Sequence, residues 1–404
     1  MSEYRILSLD GGGTWALLQA MALQHMFGID ARGHDVLRRY DLVAANSGGS
    51  IVLGGLFENL RLGELLEHYF RSESSRKRIF VRNSFLKAPL AGTLQALADV
   101  GPKYYDASAK LDGLQSILRN AGNVLLTDLR DDVMGGDCPD IIVCAFDYQV
   151  QRARYFRSNP KSRAASFSTP TPVTLAEAIH ASTNAPVNYF DAPAMVRREA
   201  FWDGGVAGLN NPVLAAVVDA LSNEKPAADI RALSIGTATA GQLPRSKPES
   251  APDHKLTQLP LETGLKADLR KLAMSIIGDP PDAATFIAHV SLGQKVPLEE
   301  NDAPVVGNLV RLNPLIRPRN KDANGIWQAP HGFAQDEFLK LVKMDMDAVE
   351  EEDVNLIVRL GQGWIAGDFL NQPIRMSNEP YRCEIGHDQF AAAHQHARAL
   401  GLVP

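Results

Sequence analysis

The chain has 404 residues, of which 45% are hydrophobic and 22% charged, and its formal net charge is -6. This is an ordinary globular composition, and a chain of this length can bury a substantial core. A net negative chain has no overall attraction for nucleic acid or anionic lipid, so a nucleic acid polymer is not an expected partner.

The N-terminus reads MSEYRILSLDGGG and lacks the basic start, apolar stretch and small-residue cleavage site of a secretory signal. No apolar run reaches the roughly 18 residues that a membrane span needs. Cys138, Cys144 and Cys383 have no metal-ligand spacing and are expected to be reduced core thiols. We expect a cytoplasmic protein with at most peripheral contact with the inner face of the membrane.

The first 60 residues contain two similar units. Arg5–Leu9 is an apolar run typical of a strand, Gly11–Gly13 predicts a turn, and apolar residues then recur at helical spacing from Trp15 to Phe27. The second unit has a strand over Tyr40–Ala44 and a helix over Ser50–Leu60. Each unit is a strand, a tight turn and a helix.

Later segments extend this pattern and then change it. Short apolar strands are predicted at 141–146, 200–202 and 232–235, and strands that alternate with helices indicate a mostly parallel sheet covered by helices. Residues 241–260 are polar and rich in proline, which predicts a loop. Helices are expected around 265–277, 333–346, 351–365 and 388–400. We therefore divide the chain into an α/β core, 1–240, and a mainly helical C-terminal extension, 241–404, packed on the core.

Ser47 is the candidate nucleophile. Asn46-Ser47-Gly48-Gly49 lies between a predicted strand and a predicted helix, where a sharp turn would expose the hydroxyl and keep its neighbours small. The usual elbow is Gly-x-Ser-x-Gly, and Ala45 replaces its first glycine. A helix N-terminus also stabilises the negative charge that develops during acyl transfer. The alternative is an ordinary serine at a helix cap.

Asp10-Gly11-Gly12-Gly13-Thr14 follows the first predicted strand. Three successive glycines let the backbone approach a ligand and present several N–H groups to one oxygen, which is how an oxyanion hole is built. The same residues also look like the phosphate loop of sugar kinases and other actin-like ATPases. In that fold a second hairpin strand follows, whereas this sequence predicts a helix directly after the glycines.

Asp203 follows the apolar pair Phe201-Trp202 and precedes two glycines, so it is either a turn aspartate or a buried base. A rival arrangement uses Asp203 to orient a histidine in a triad. The candidate histidines are His254, His289, His331, His387, His394 and His396. His331 and His387 each have one glycine neighbour, but neither follows a clear apolar strand as Asp203 does. Ordinary surface histidines explain the set, which favours a Ser47–Asp203 dyad.

Together these segments resemble the patatin-like phospholipase family. The resemblance covers roughly residues 4 to 240: the glycine loop, the serine elbow, Asp203-Gly204-Gly205, and further family-like segments at 178–190, 210–212 and 233–237. It implies a three-layer α/β/α fold with a mostly parallel central sheet and a phospholipase A-type activity on fatty-acyl esters. It also implies that Ser47 is the nucleophile, Asp203 its base, and Gly11, Gly12 and Gly13 the oxyanion hole, with no metal or organic cofactor.

The sequence departs from the family at two places. An arginine and a glycine usually follow Gly13-x, and this chain has Trp15 and Ala16 there; Ala45 is the second departure. These residues leave open a patatin-fold binding protein that has lost catalysis.

Two features of the sequence concern membrane contact and regulation. Residues 71–82, followed by Phe85 and Lys87, mix basic and apolar side chains and are either a membrane-docking segment or a solvated basic surface. The chain also loosely resembles the bacterial phospholipase effectors of antiphage signalling, which implies a cyclic-nucleotide activator. No residue is assigned to that activator, and the sequence indicates no oligomeric state.

Overall fold

The protein is represented by a computed structural model. It describes residues 3–80, 105–165, 172–186, 189–240, 281–297, 305–319, 322–324, 328–344, 346–376 and 383–404. The strands are β1 (Tyr4–Leu9), β2 (Leu42–Asn46), β3 (Asp140–Asp147), β4 (Arg152–Arg157), β5 (Ala194–Val196), β6 (Glu199–Asp203), β7 (Ile230–Ile235), β8 (Thr239–Ala240), β9 (Leu309–Leu312), β10 (Leu315–Ile316), β11 (Arg375–Met376) and β12 (Cys383–Ile385).

The α-helices are α1 (Leu17–Phe27), α2 (Gly33–Leu37), α3 (Ser47–Phe57), α4 (Leu62–Leu65), α5 (Glu73–Ile79), α6 (Ala107–Ile117), α7 (Leu175–Ser182), α8 (Val213–Ser222), α9 (which includes 281–291), α10 (Gln335–Lys343), α11 (Glu351–Ala366) and α12 (Phe390–Ala399). Single turns of 3₁₀-helix at Gly13–Ala16 and Gly204–Ala207 follow β1 and β6.

An eight-stranded sheet forms the centre of the fold, in the order β5-β6-β3-β2-β1-β7-β9, with β4 also paired to β3. The pairs from β3 through β2, β1 and β7 to β9 are parallel, whereas β4, β5 and β6 run antiparallel to their neighbours. Because β1, β2 and β3 are parallel, the turns after them lie at one edge of the sheet, and β6 ends at that edge beside β3.

Strand residues alternate between two cores. Leu7, Val43 and Leu233 point to the face covered by α1, α3, α7 and α11. Ile6 and Ala232 point to the opposite face, which α8 and α9 cover. Both faces of the sheet are buried, so the central strands are mostly apolar and the fold has three layers, α/β/α.

The sequence predicted these N-terminal elements with shifted boundaries. The second strand is β2, two residues later than expected, and the helix after it begins at Ser47, three residues earlier than Ser50. Small residues at 44 to 46 are typical of the start of a turn, but here they pair with β1 and β3 inside the sheet. Strand β4 was not predicted, because Arg152 to Arg157 lacks an apolar run.

The C-terminal part contains the three later helices that the sequence predicted, as α10, α11 and α12. It also contributes β9, which pairs with β7 at one end of the central sheet. The extension is thus joined to the core by backbone hydrogen bonds as well as by helix packing. The loop at 241–260 and the helix at 265–277 lie outside the described residues.

Across the described ranges, none of the helices combines the length and apolar character that crossing a bilayer requires. The same ranges contain no group of three or more His, Cys, Asp or Glu residues arranged to hold a metal ion.

Candidate active site

The turn between β2 and α3 is a sharp elbow. Ser47 is the first residue of α3, and its backbone has φ 45°, which is strained for any residue except glycine. A Cβ on Gly48 would lie 2.4 Å from the carbonyl oxygen of Gly13, and one on Gly49 would lie 2.4 Å from that of Leu9. The two glycines therefore let the glycine loop touch the start of α3, beside the Ser47 side chain.

Ala45 does not disturb this elbow. It pairs with Leu9 and Val143 on the neighbouring strands and is fully buried among apolar side chains on the α1/α3 face of the sheet. The methyl group at this position thus lies in the apolar core on that face of the sheet.

The glycine loop faces the elbow with two of its three N–H groups unengaged. The Gly11 N–H donates to the Asn210 carbonyl at 2.8 Å, and the Gly11 carbonyl accepts from the Thr237 hydroxyl at 2.5 Å. Within the described part of the chain, the N–H groups of Gly12 and Gly13 have no acceptor. The sequence predicts all three glycines as oxyanion donors. In the structure the Gly11 N–H already donates to Asn210 and holds the loop, which leaves the N–H groups of Gly12 and Gly13 as the candidate donors.

A buried ion pair anchors the loop at its first residue. Both guanidinium Nη atoms of Arg311, on β9, donate to the Asp10 carboxylate at 3.0 and 2.7 Å, and Nη1 also donates to Ser234 at 2.7 Å. Gln19 donates to the Asp10 carbonyl at 2.9 Å. Burial raises the pKa of Asp10 to about 6 although Arg311 opposes the rise. Trp15 is buried in the core, so Arg311 supplies the cation for this loop from another strand.

Asp203 is the last residue of β6, and its side chain lies beside the elbow. Its Oδ1 accepts from the Gly205 N–H at 2.8 Å and from Asn46 Nδ2 at 3.1 Å, and the Ser47 hydroxyl lies close enough to the carboxylate to lower its pKa. Burial raises the pKa of Asp203, and these hydrogen bonds oppose the rise. A buried carboxylate in contact with a serine hydroxyl can accept its proton.

One short segment supports both members of this pair. The Ser182 hydroxyl, at the end of α7, accepts from the Ser47 N–H at 2.8 Å. Two residues later, the Asn184 carbonyl accepts from the Asp203 N–H at 3.0 Å. The sequence marks 178–190 only as family-like, and it gives no role to Asn46, because a contact between separate strands leaves no local pattern.

The histidine triad finds no support among the described residues. The side chain of His289 hydrogen-bonds to the Lys295 carbonyl, His331 contacts Arg319, and His387 contacts His396. His394 packs on the rings of His25 and Phe390. None of these histidines contacts Ser47 or Asp203, and His254 lies outside the described residues.

A narrow apolar pocket opens above Ser47. Its cavity volume is about 10 Å³, which is roughly the room for one water molecule. Its apolar lining consists mainly of Ile51, Ile79, Phe80, Tyr189, Phe190 and Met346. Pockets for drug-sized ligands measure on the order of 300–1,000 Å³. An acyl chain therefore fits only after part of this lining moves.

Met346 lines this pocket and begins the segment 346–349, which we call the covering segment. The Met346 carbonyl accepts from the Thr14 N–H at 2.9 Å, directly after the glycine loop. Tyr105 donates to Asp347 at 2.6 Å, and Arg76 Nε donates to the Val349 carbonyl at 2.8 Å. Three hydrogen bonds thus hold the segment on the pocket.

The basic segment at 71–82 does not form one solvated surface. Arg76 is 2% exposed, and its guanidinium also donates to the carbonyls of Phe70 and Arg71. Arg71 pairs with Glu67 and Lys77 with Glu73, each four residues earlier in the chain. The membrane-docking hypothesis is therefore wrong for Arg76, which holds the covering segment; residues 82, 85 and 87 lie outside the described part.

Two cysteines are inert in this fold. Cys138 and Cys144 are buried free thiols, and burial raises the pKa of each to about 12. Neither thiol is ionised near neutral pH, so the prediction of unreactive core cysteines is confirmed for these two.

Comparison with known proteins agrees with the motifs. The family model described as patatin-like phospholipase matches residues 7–217, a little over half of the chain. No curated protein matches the chain in sequence.

Solved structures give only distant likenesses. VipD from Legionella pneumophila has 11% identity and a TM-score of 0.35, and the match covers 99% of this chain and 75% of VipD. Human GIVD cytosolic phospholipase A2, solved in complex with methyl gamma-linolenyl fluorophosphonate, has 13% identity and a TM-score of 0.43. That match covers 99% of this chain and 59% of the human chain, so this chain spans about three fifths of the human protein's length.

Proposed function

The chain belongs to the patatin-like phospholipase family, and on that premise we propose that it is a serine lipid acyl hydrolase of the phospholipase A type. It cleaves fatty-acyl esters of membrane lipids through a dyad of Ser47 and Asp203. The observation that carries the proposal is that Ser47, on a strained elbow, directly follows Asn46, whose side chain donates to the buried Asp203 carboxylate at 3.1 Å.

Asp203 accepts the Ser47 proton as the serine oxygen attacks the ester carbonyl. The carbonyl oxygen becomes an oxyanion, which the N–H groups of Gly12 and Gly13 stabilise together with the N-terminus of α3. The tetrahedral intermediate expels the alcohol, which takes the proton from Asp203, and the acyl group stays on Ser47. Water then loses a proton to Asp203 and attacks the acyl-enzyme, which releases the fatty acid and restores the serine. This scheme assigns no step to a metal or an organic cofactor.

Fatty-acid release tests the dyad. We expect wild-type protein to release fatty acid from mixed phospholipid vesicles or from a soluble short-chain ester. Ser47→Ala and Asp203→Asn should each lower the rate at least roughly 10³-fold, because dyad residues act as one unit. Both substrates belong in the assay, because a covered pocket admits a small ester before it admits a bilayer lipid.

Matched variants separate chemistry from folding. Ser50→Ala removes another buried serine of α3, and Asp147→Asn neutralises a carboxylate on neighbouring β3 that is 6% exposed, as Asp203 is. Both controls should keep most of the activity. A Ser47→Ala protein as active as wild type contradicts the proposal, and loss in Asp147→Asn equal to that in Asp203→Asn indicates a general effect of buried carboxylates.

Two other functions are distinguished by the same variants. An actin-like ATPase is disfavoured because a 3₁₀ turn and α1 follow the glycines, where that fold has a second hairpin strand. ATP turnover that survives Ser47→Ala would support it. Lipid binding to vesicles without any hydrolysis would support a catalytically silent binding protein.

The covering segment and the loose resemblance to antiphage effectors together support a gated enzyme. The proposal therefore includes activation by a cyclic nucleotide during antiphage defence. The enzyme is placed in the cytoplasm, where it acts on the inner face of the membrane. The test is fatty-acid release in the presence of a panel of cyclic di- and trinucleotides. A rate that is the same with every nucleotide removes this part of the proposal and leaves the dyad untouched.

A further inference from the structure

Lys110 is a fully buried lysine on α6, close to the proposed dyad but outside it. Its Nζ donates to the His180 carbonyl at 3.0 Å and to Asn184 Oδ1 at 2.8 Å. The same nitrogen lies 4.1 Å from the centroid of the Phe190 ring. An ammonium has three donors, and this site offers two oxygen acceptors and one aromatic face. Burial lowers the pKa of Lys110 well below its usual value, and the charge of Asp203 opposes that shift.

The two oxygens belong to the segment that supports the dyad. His180 lies in the last turn of α7, where carbonyl groups lack helical partners and a cation is favoured. Ser182 and Asn184, in the same segment, accept the backbone N–H groups of Ser47 and Asp203. A side chain that fixes residues 180–184 therefore fixes the distance between the nucleophile and its base.

The charge of Lys110 also acts on Asp203. Of the charged side chains in the described ranges, it is the one whose charge acts on Asp203, and it favours the carboxylate form. The other titratable groups nearby are neutral: burial and Lys110 lower the pKa of His180 to about 2, and burial raises that of Cys144 to about 12. Arg78, on α5 packed against α6, donates to Ser116. The charge on Lys110 is therefore the local counterpart of the carboxylate.

We propose that Lys110 is the positioning residue of this site: its buried Nζ fixes residues 180–184, which hold Ser47 and Asp203, and its charge acts on Asp203 from the same position. This inference rests on the proposed dyad. It assigns two separable effects to one side chain, a geometric effect through Asn184 and an electrostatic effect on Asp203.

The pH dependence of kcat/KM separates the two effects. Asp203 must be ionised to accept the serine proton, so activity falls at low pH through the pKa of Asp203. Burial already raises that pKa, and removal of the Lys110 charge raises it further. In Lys110→Met we expect the acid limb of the profile to move up by less than about one pH unit, because Lys110 has the smallest of the effects that act on this pKa. In Asn184→Ala, which keeps the cation, kcat should fall while the acid limb stays in place.

Two further variants act as controls. Lys110→Arg keeps the charge but replaces the compact ammonium with a planar fork, so it should keep the wild-type acid limb at a reduced kcat. Lys225→Met removes another lysine that lies over a ring, that of Tyr4 at the far end of β1, and should change neither quantity. An acid limb in Lys110→Met identical to that of wild type overturns the electrostatic effect. Full kcat in Asn184→Ala overturns the geometric one.

A stability measurement keeps the inference testable without turnover. Urea unfolding of wild type, Lys110→Met, Asp203→Asn and the double variant forms a double-mutant cycle. We expect the two substitutions to be coupled by at least about tenfold in the unfolding equilibrium constant, because each leaves the other charge buried alone. Additive effects overturn the inference. Coupling in a protein without any hydrolysis would instead show that the pairing is right and the proposed function wrong.

Discussion

Replacement of Arg311 by methionine should cost more stability as the pH rises. The substitution removes both hydrogen bonds to Asp10 and leaves a carboxyl group whose side chain is 3% exposed. Removing one partner of a buried ion pair costs about 3–5 kcal/mol, because the remaining charge has no compensation. We expect a loss of this size at pH 8.

The pH dependence follows from the pKa of Asp10. In the wild type this pKa is raised from 3.8 to about 6, so protonation is favoured in the folded state. The stability that Asp10 contributes is full below pH 3.8 and declines until the pH passes the folded pKa. The decline is about 1.4 kcal/mol for each tenfold difference in proton affinity between the folded and unfolded states, or about 3 kcal/mol in total. Without Arg311 the folded pKa lies above 6, and the decline continues to higher pH. The difference between variant and wild type is therefore smaller at pH 5 than at pH 8.

Urea unfolding followed by circular dichroism at the two pH values measures this difference. Asp10→Asn in the Arg311→Met background should remove most of the pH dependence. Arg231→Met, on the adjacent strand β7, breaks a pair with half-exposed Glu3 and the hydrogen bonds to the carbonyls of Ala228 and Ile230. It leaves no fully buried charge unpaired, so its cost should be the same at both pH values. A loss from Arg311→Met that is the same at pH 5 and pH 8 would refute the account of the loop anchor.

Three further outcomes follow from the site. Arg76→Met should loosen the covering segment and raise the rate of short-chain ester hydrolysis several-fold. Arg71→Met, which removes an exposed pair, should not raise that rate. A lower rate in Arg76→Met contradicts the role of the segment. Gly48→Ala should reduce hydrolysis at least about 100-fold because its Cβ would overlap the Gly13 carbonyl, and activity close to wild type would show that the loop is not packed on α3. Iodoacetamide at pH 8 should modify Cys144 only after unfolding in urea, since burial raises its pKa to about 12; rapid modification of the folded protein contradicts this.

The candidate nucleophile, base and glycine loop could be predicted because each is written in consecutive residues. A serine before two glycines, or an aspartate after an apolar pair, is a local pattern that can be recognised in the sequence alone. The strand–turn–helix order of the first 60 residues was also visible, because the apolar spacing changes where the strand ends.

The supporting residues could not be predicted, because their contacts join distant parts of the chain. Arg311 reaches Asp10 across 301 positions, and Lys110 reaches Asn184 across 74. A lone arginine in an apolar strand, or a lone lysine in a helix, usually lies with its charge in water. Only the folded sheet shows that Arg311 contacts Asp10 at the start of the glycine loop.

The covering segment was missed for a related reason. Met346 was predicted as the last residue of a helix, but α10 ends at Lys343, and Met346 lies beyond it in the lining of the pocket. Apolar periodicity indicates that a methionine is buried and does not indicate against what. Here the partner is the proposed active site itself.

The most direct test of the central claim is the reaction of the protein with a short-chain fluorophosphonate, which modifies activated serines, followed by peptide mass spectrometry. We expect a single adduct on Ser47, formed at least roughly 10³-fold more slowly in Asp203→Asn and at the wild-type rate in Asp147→Asn. Modification of another serine, or the same rate on Ser47 with and without the Asp203 carboxylate, would contradict the dyad.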